Sequence, residues 1–286
     1  MSVKQQVFFH QPTSTATYLV WDEATKEAAV IDPVLDYDAK AAKISTLQAD
    51  EILDFAAGHG LKPVYSLETH AHADHLSAGD WLRRKTGAKV VIGEHITEVQ
   101  DRFRATFGAD DVTPDGSQFD ILVTDGEVLM LGETPIEVMY TPGHTFADVS
   151  YRIGETVYVG DTLFMPDYGT ARTDFPGGDA TALYRSIRSI LKLPPETKIY
   201  VGHDYLPEGR SEFAWESTVA EQRARNVHIH DGVSEEAFVE RRKARDATLA
   251  PPGLILPSLQ VNIRAGAMPP PEKDGRVYLR LPVSFA

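Results

Sequence analysis

An α/β fold is predicted by two features of the chain: apolar runs of strand length recur from Thr17 to Val201 between longer amphipathic stretches, and no repeat or low-complexity tract interrupts them. With 286 residues, 42% hydrophobic and 24% charged, the sequence has apolar content for one large core or two modest ones. The strand-like runs are rich in Val, Ile and Tyr: Thr17–Trp21, Ala28–Ile31, Pro63–Leu67, Lys89–Ile92, Glu127–Leu131, Ile136–Tyr140, Val149–Ile153, Thr156–Val159 and Lys198–Val201. Helical spacing is expected near residues 46–57, 74–86, 179–192, 211–225 and 234–246, the first ending at Gly58 or Gly60, either suited to a C-cap. From Ala250 the chain is proline-rich and weakly periodic, so a domain spanning 1–249 is expected, with 250–286 as an extended segment packed on it.

Charge and composition narrow the functions. A net charge of -14 repels phosphate backbones, and no Lys/Arg run offsets it, so nucleic acid is not an expected partner. No segment has the length of a membrane span, and the first residues lack the charged-then-apolar pattern of an export signal, so a cytoplasmic location is expected. Cysteine is absent, which excludes disulfides, thiolate ligands, iron–sulfur clusters and a cysteine nucleophile. A metal would have to be held by nitrogen and oxygen, which favours zinc, iron, manganese or nickel.

Metal-competent side chains collect after the strands. "PVYSLETH" delivers His70, "IEVMYTPGH" His144, "TVYVGD" Asp161 and "KIYVGH" His203, and in layered α/β folds such strand ends share one rim. The stretch "ETHAHADH" adds His72, Asp74 and His75. Residues two apart in an extended turn face one side, so His70 and His72 are expected to point together, with Asp74 and His75 opening the next helix and facing elsewhere on the rim. A solvated loop or satisfied core histidines would be the plain alternative, but ligand chemistry and spacing agree on a metal site.

"HAHADH", "TPGH", "GDTLF" and "VGHDY", in that order, resemble the metallo-β-lactamase superfamily over nearly the first 205 residues. The resemblance implies a four-layer αβ/βα sandwich, with two mixed β-sheets inside, helices outside and the active site on the shared rim. Within the superfamily the chain looks like glyoxalase II proteins, but "RTDF" at Arg172–Phe175 is similar to persulfide dioxygenases, as are "TATYLVWDEATKEAAVIDPVLDYD" and "VGHDY" followed by "STVAEQRARN". Residues 95–120 read as an insertion. That likeness implies one Fe(II) per chain on His70, His144 and Asp161, with His72, Asp74, His75 and His203 around it and Arg172 and Tyr205 binding substrate. The implied reaction oxidises glutathione persulfide with O2 to sulfite and glutathione. The alternative is a two-zinc hydrolase of glyoxalase II type, with one metal on His70, His72 and His144, the other on Asp74, His75 and His203, and Asp161 bridging. A homodimer is compatible with such a fold.

Other polar residues read as structural or ambiguous. Asp32 in "VIDPV" is either a buttress of the metal loop or a turn carboxylate; His59 ends a helix; His228 and His230 read as surface histidines; and Val239–Asp246 reads as a solvated helix face.

Overall fold

A computed structural model describes residues 3–284. The first half runs through β1 (Val3–His10), β2 (Thr15–Asp22), β3 (Glu27–Ile31), β4 (Val34–Asp38), β5 (Lys43–Ser45), α1 (Leu47–Gly58), β6 (Lys62–Leu67), β7 (Leu76–Ser77), α2 (Gly79–Thr86), β8 (Lys89–Gly93), α3 (Ile96–Phe107) and β9 (Ile121–Val123). The second half runs through β10 (Val128–Leu131), β11 (Thr134–Tyr140), β12 (Val149–Ile153), β13 (Thr156–Tyr158), α4 (Ala180–Ile190), β14 (Lys198–Tyr200), β15 (Glu216–Thr218), α5 (Val219–Arg225), α6 (Glu235–Asp246) and α7 (Ile255–Asn262).

These strands build two six-stranded sheets, in the orders β1-β2-β3-β6-β8-β9 and β10-β11-β12-β13-β14-β15. Both are mixed: β3, β6, β8 and β9 run parallel, as do β13 and β14, while the other neighbours are antiparallel. Parallel neighbours need a crossover, and the amphipathic stretches at α1 and α4 supply it. Between the sheets lies a core that includes Tyr18, Leu67, Val91, Tyr151, Tyr158 and Tyr200. Its tyrosines find partners for their hydroxyls, as buried ones must: Tyr18 donates to the Val201 carbonyl and Tyr151 to that of Glu68, at 2.5 and 3.0 Å. Ile52, Ala56 and Leu82 pack on the outer face of the first sheet, and Leu183, Ile187, Ile190 and Phe238 on that of the second. The result is the four-layer sandwich.

Every strand-like run named from sequence forms a strand. The helices near 46–57, 179–192 and 234–246 also form. The first closes in a Schellman turn, with Gly60 left-handed at φ +67° and the amides of Gly60 and Leu61 bonded back to Ala57 and Ala56. His59 caps that helix and stacks on Phe55.

Several expectations need correction. The helix expected over 74–86 begins only at Gly79, because Leu76–Ser77 pairs antiparallel with Val34–Leu35; Asp74 and His75 therefore sit in an irregular loop. In 211–225, Glu216–Thr218 pairs with β14, and the helix starts where Thr218 and Glu221 form a capping box. The segment read as an insertion holds α3. Residues 250–286 are not simply extended: α7 buries Leu259, Val261 and Asn262. His228 is half-buried, accepting from the Thr170 amide at 3.1 Å, and burial with nearby Arg242 lowers its pKa to about 4. In Val239–Asp246 the face is not wholly solvated, since Arg242 and Asp246 form a buried ion pair.

Candidate metal centre

The four strand-end segments deliver their side chains to one rim. One backbone device holds "TPGH" in place: Gly143 lies at φ +140°, where a Cβ would sit 2.3 Å from the Leu183 amide in the first turn of α4, so only glycine lets this turn pack so closely on that helix. His70, His144 and Asp161 offer ligand atoms within 4.8 Å of one another, as do His72, Asp74, His75 and His203. Asp161 joins the groups: its Oδ2 lies 3.6 Å from His144 Nε2 and 4.0 Å from His70 Nε2, and its Oδ1 lies 3.3 Å from His203 Nε2. His203 Nε2 is also 3.2 Å from Asp74 Oδ2.

The far side of each imidazole decides which nitrogen faces inward. Nδ1 of His144, His75 and His203 lies 2.9, 3.2 and 3.2 Å from the carbonyls of Arg172, Leu76 and Ser14. A carbonyl only accepts, so Nδ1 carries the proton and Nε2 presents its lone pair to the centre. His70 Nδ1 lies 3.0 Å from Thr69 Oγ1, which in turn donates to Asp32 Oδ2 at 2.9 Å, giving His70 the same orientation. His72 is reversed. Its Nε2 donates to Asp32 Oδ1 at 3.0 Å, leaving Nδ1 inward.

Asp32 is thus the buttress of the loop. It holds left-handed backbone at φ +51°, accepts also from the Thr69 amide at 2.7 Å, and is buried. Burial disfavours its charge, but His72 and Thr69 keep its pKa below the usual carboxylate range. Glu68, which the sequence reading left unassigned inside "ETHAHADH", lies with Oε2 3.5 Å from His72 Nε2 and Oε1 2.6 Å from Ser77 Oγ; burial raises its pKa. Burial alone would lower the pKa of His72, yet Asp32 and Glu68 hold it well above the ordinary value. Burial and then neighbouring imidazoles lower that of His70, and that of His75 to about 3.

Donor chemistry fits a metal. Among the described residues His70 Nε2, His72 Nδ1, Asp74 Oδ2, His75 Nε2, Asp161 Oδ1 and His203 Nε2 are buried without a hydrogen-bond partner, and each belongs to a residue of one of the two groups. An unsatisfied buried polar atom costs about 1–3 kcal/mol, so this cluster is intelligible as a set of ligand atoms. Two imidazoles and one carboxylate suit iron(II) or zinc, and the second group adds three imidazoles and a carboxylate.

A cleft of about 530 Å³ opens on Asp74, His144 and Asp161. Phe164, Tyr168, Phe175 and Tyr205 give it apolar walls, with Tyr205 stacked on His203 at 5.5 Å. Phe164 and Tyr168 follow Asp161 within seven residues in "GDTLFMPDY", and that closeness to a strand-end carboxylate is the sequence signal for the wall. Arg172 lines the cleft, but its guanidinium forks onto Asp174 at 2.6 and 2.7 Å and donates to the Ala250 carbonyl at 2.7 Å. The family likeness implies that Arg172 binds substrate, whereas in the structure its guanidinium is engaged by Asp174. Arg245, hidden in a charge run read as a solvated face, also lines the cleft and pairs with no carboxylate among the described residues.

Residues 10–203 match the metallo-beta-lactamase superfamily. A probable metallo-hydrolase of Burkholderia pseudomallei is 50% identical over 96% of this chain and 97% of its own length. A beta-lactamase hydrolase-like protein of Xylella fastidiosa is also 50% identical, over 97% of this chain, which spans 64% of that longer protein. The mitochondrial persulfide dioxygenase of Bos taurus is 31% identical over 92% of this chain and 89% of its own length. Among solved structures, ETHE1 from Myxococcus xanthus superposes with a TM-score of 0.74 and 33% identity, covering 92% of this chain and all of that one.

Proposed function

The chain belongs to the metallo-beta-lactamase superfamily, and from that premise we propose that it is an iron-dependent persulfide dioxygenase. The observation that carries this reading is the compact set of His70 Nε2, His144 Nε2 and Asp161 Oδ2, two members of which, His144 and Asp161, line the cleft. Likeness to the bovine persulfide dioxygenase and to the Myxococcus ETHE1 structure supports it. Iron(II) held by these three residues would supply open coordination positions where a sulfur donor and dioxygen exchange electrons. The overall change is balanced: persulfide, dioxygen and water give thiol, hydrogensulfite and one proton.

The chain's own residues bind and orient. Carbonyls of Arg172 and Ser14 and the Thr69–Asp32 relay fix the rings of His144, His203 and His70, so no reorganisation is needed when metal binds. Phe164, Tyr168 and Tyr205 flank the substrate's apolar stem and exclude water beside Asp161. Arg245 supplies the cation for a glutathione carboxylate.

A second reading has its own observation. His72, Asp74, His75 and His203 form a second ligand group, Asp161 reaches toward both groups, and the Burkholderia relative is named a metallo-hydrolase. Such a centre would hold two metals for hydrolysis. Elemental analysis of protein purified without added metal, combined with an oxygen electrode, separates the two. About one iron per chain, with oxygen uptake and sulfite release from glutathione persulfide, is the expected result. About two zincs per chain, with hydrolysis of lactoylglutathione and no oxygen uptake, would overturn it.

A further inference from the structure

The loop that carries His72, Asp74 and His75 has little backbone structure of its own, being a turn that ends in the two-residue β7. Such a loop leaves carbonyls and amides to be satisfied from elsewhere. One side chain does much of this. Asn262 Nδ2 donates to the carbonyls of His72 and His75 at 2.7 and 2.8 Å, and its Oδ1 accepts from the Ser77 amide at 2.8 Å. Both amide protons and the carbonyl oxygen are therefore engaged, in a residue only 3% exposed.

Asn262 is itself held rigidly. The Ile263 carbonyl beside it accepts from Gln100 on α3 at 2.9 Å, and Arg264 forks onto Asp111 with two contacts of 2.7 Å. Next along the chain, Gly266 packs backbone against backbone on the loop's exit: at φ +85°, a Cβ there would lie 2.7 Å from the Ser77 carbonyl and 3.1 Å from the Gly79 amide. A Cβ on Gly79 would in turn meet the Ala265 carbonyl at 3.2 Å. The contact is built for close approach.

We propose that Asn262 is a positioning residue for the metal centre, and that the C-terminal segment is thereby part of the frame that sets the ligand geometry of His72 and His75. The planar amide spans the loop from residue 72 to residue 77, so the backbone that aims both imidazoles is clamped at three points. Aspartate in its place keeps the acceptor for Ser77 but turns an oxygen toward two carbonyls, losing both donors. The inference rests on metal binding at the group that holds His72 and His75, the second group of the two-metal reading, and not on which reaction the centre carries out.

The test is cobalt(II) binding by the full chain, measured by chelator competition and by the visible spectrum of the bound ion. Asn262→Asp is expected to weaken cobalt binding by about 10- to 100-fold, the range for losing a group that orients ligands, and to shift the cobalt bands. Gln260→Leu is the comparison, since Gln260 lies on the same helix but bonds Leu256 and Arg280. It should lower the melting temperature while leaving cobalt affinity and spectrum unchanged. If Asn262→Asp fails to fold, Asn262→Ser carries the same readouts with the same expectation. Unchanged affinity and spectrum in the folded variant, or an equal loss in Gln260→Leu, would overturn the proposal. Oxygen uptake has no part in this measurement, so its outcome is separate from that of the dioxygenase reading.

Discussion

Replacing Arg245 by methionine should raise the KM for glutathione persulfide about tenfold while kcat and metal content stay near wild type. The cleft is lined by three guanidinium groups, and they differ in what they already hold. Arg172 forks onto Asp174, and that contact raises its pKa further. Arg242 is buried, with both contacts on Asp246 and a third on the Thr170 carbonyl at 3.1 Å. Arg245 alone of the three has no carboxylate partner among the described residues, so in a chain of net charge -14 it is the cation positioned to receive a substrate carboxylate. A charge-assisted hydrogen bond is worth about 1.5–3 kcal/mol; because Arg245 is exposed the lower end applies, and about 1.4 kcal/mol is tenfold. Arg172→Met should instead act on stability, since it strands Asp174 and removes a cation 4.9 Å from the Phe175 ring centre. Its partly exposed ion pair is worth about 1 kcal/mol or less, and KM should change less than about threefold. Steady-state oxygen uptake against persulfide concentration, with melting curves, measures both variants. A tenfold KM increase in Arg172→Met with none in Arg245→Met would refute the assignment.

Two further outcomes are expected. His144→Ala or Asp161→Ala should abolish iron binding, whereas His203→Ala should leave most of the iron in place; equal loss in all three, read by elemental analysis, would favour the two-metal centre. Asp22 accepts from the amides of Ala24, Thr25 and Glu133 and from the Thr134 hydroxyl, tying β2 to the β10–β11 hairpin, and these bonds, led by that of Thr25, lower its pKa to about 2 from 3.8. Its stabilisation is therefore complete above about pH 4 and lost as pH falls through 2. Urea unfolding should show Asp22→Asn less stable than wild type at pH 5 by on the order of 1–2 kcal/mol after solvent screening, with the gap closing toward pH 2; a gap constant with pH would refute the ionic origin.

The strand-end members of the candidate site, His70, His144, Asp161 and His203, were legible in the sequence because each follows an apolar strand within four residues, and a strand's end limits where those residues can lie. Both sheets were legible for the same reason, through runs such as "KVVI" and "VSYRI". Residues that act through distant contacts were not legible. Asn262 reaches across 190 positions to the His72 carbonyl, and nothing in its proline-flanked surroundings marks it. Asp32 was recognisable as a turn carboxylate, but its bond to His72 is a tertiary fact. Arg242 and Arg245 sit three apart in one charge run, yet one is buried on Asp246 and the other is exposed beside the cleft; α6 packs against α4, and that packing divides them. The helix expected from Asp74 failed because β4 claims Leu76 and Ser77 first, a pairing across about forty residues.

Charge balance bears on how many cations this centre suits. Asp74 and Asp161 face the ligand atoms, whereas Asp32 and Glu68 stand behind His72, where an imidazole proton offsets them. Burial lowers the pKa of His70 and His75, and the inward-facing negative charge comes from two carboxylates. One divalent ion compensates that charge. A second would leave an uncompensated buried excess, costly unless a hydroxide or an anionic substrate group comes with it. Under the proposed reading a persulfide would enter as an anion, and one divalent ion on His70, His144 and Asp161 would offer it an electrophilic centre with an open side. In the mononuclear reading His203 Nε2, 3.3 Å from Asp161 Oδ1 and 3.2 Å from Asp74 Oδ2, would need a second imidazole proton to hold Asp161 toward the first group, whereas in the two-metal reading its lone pair would bind the second ion.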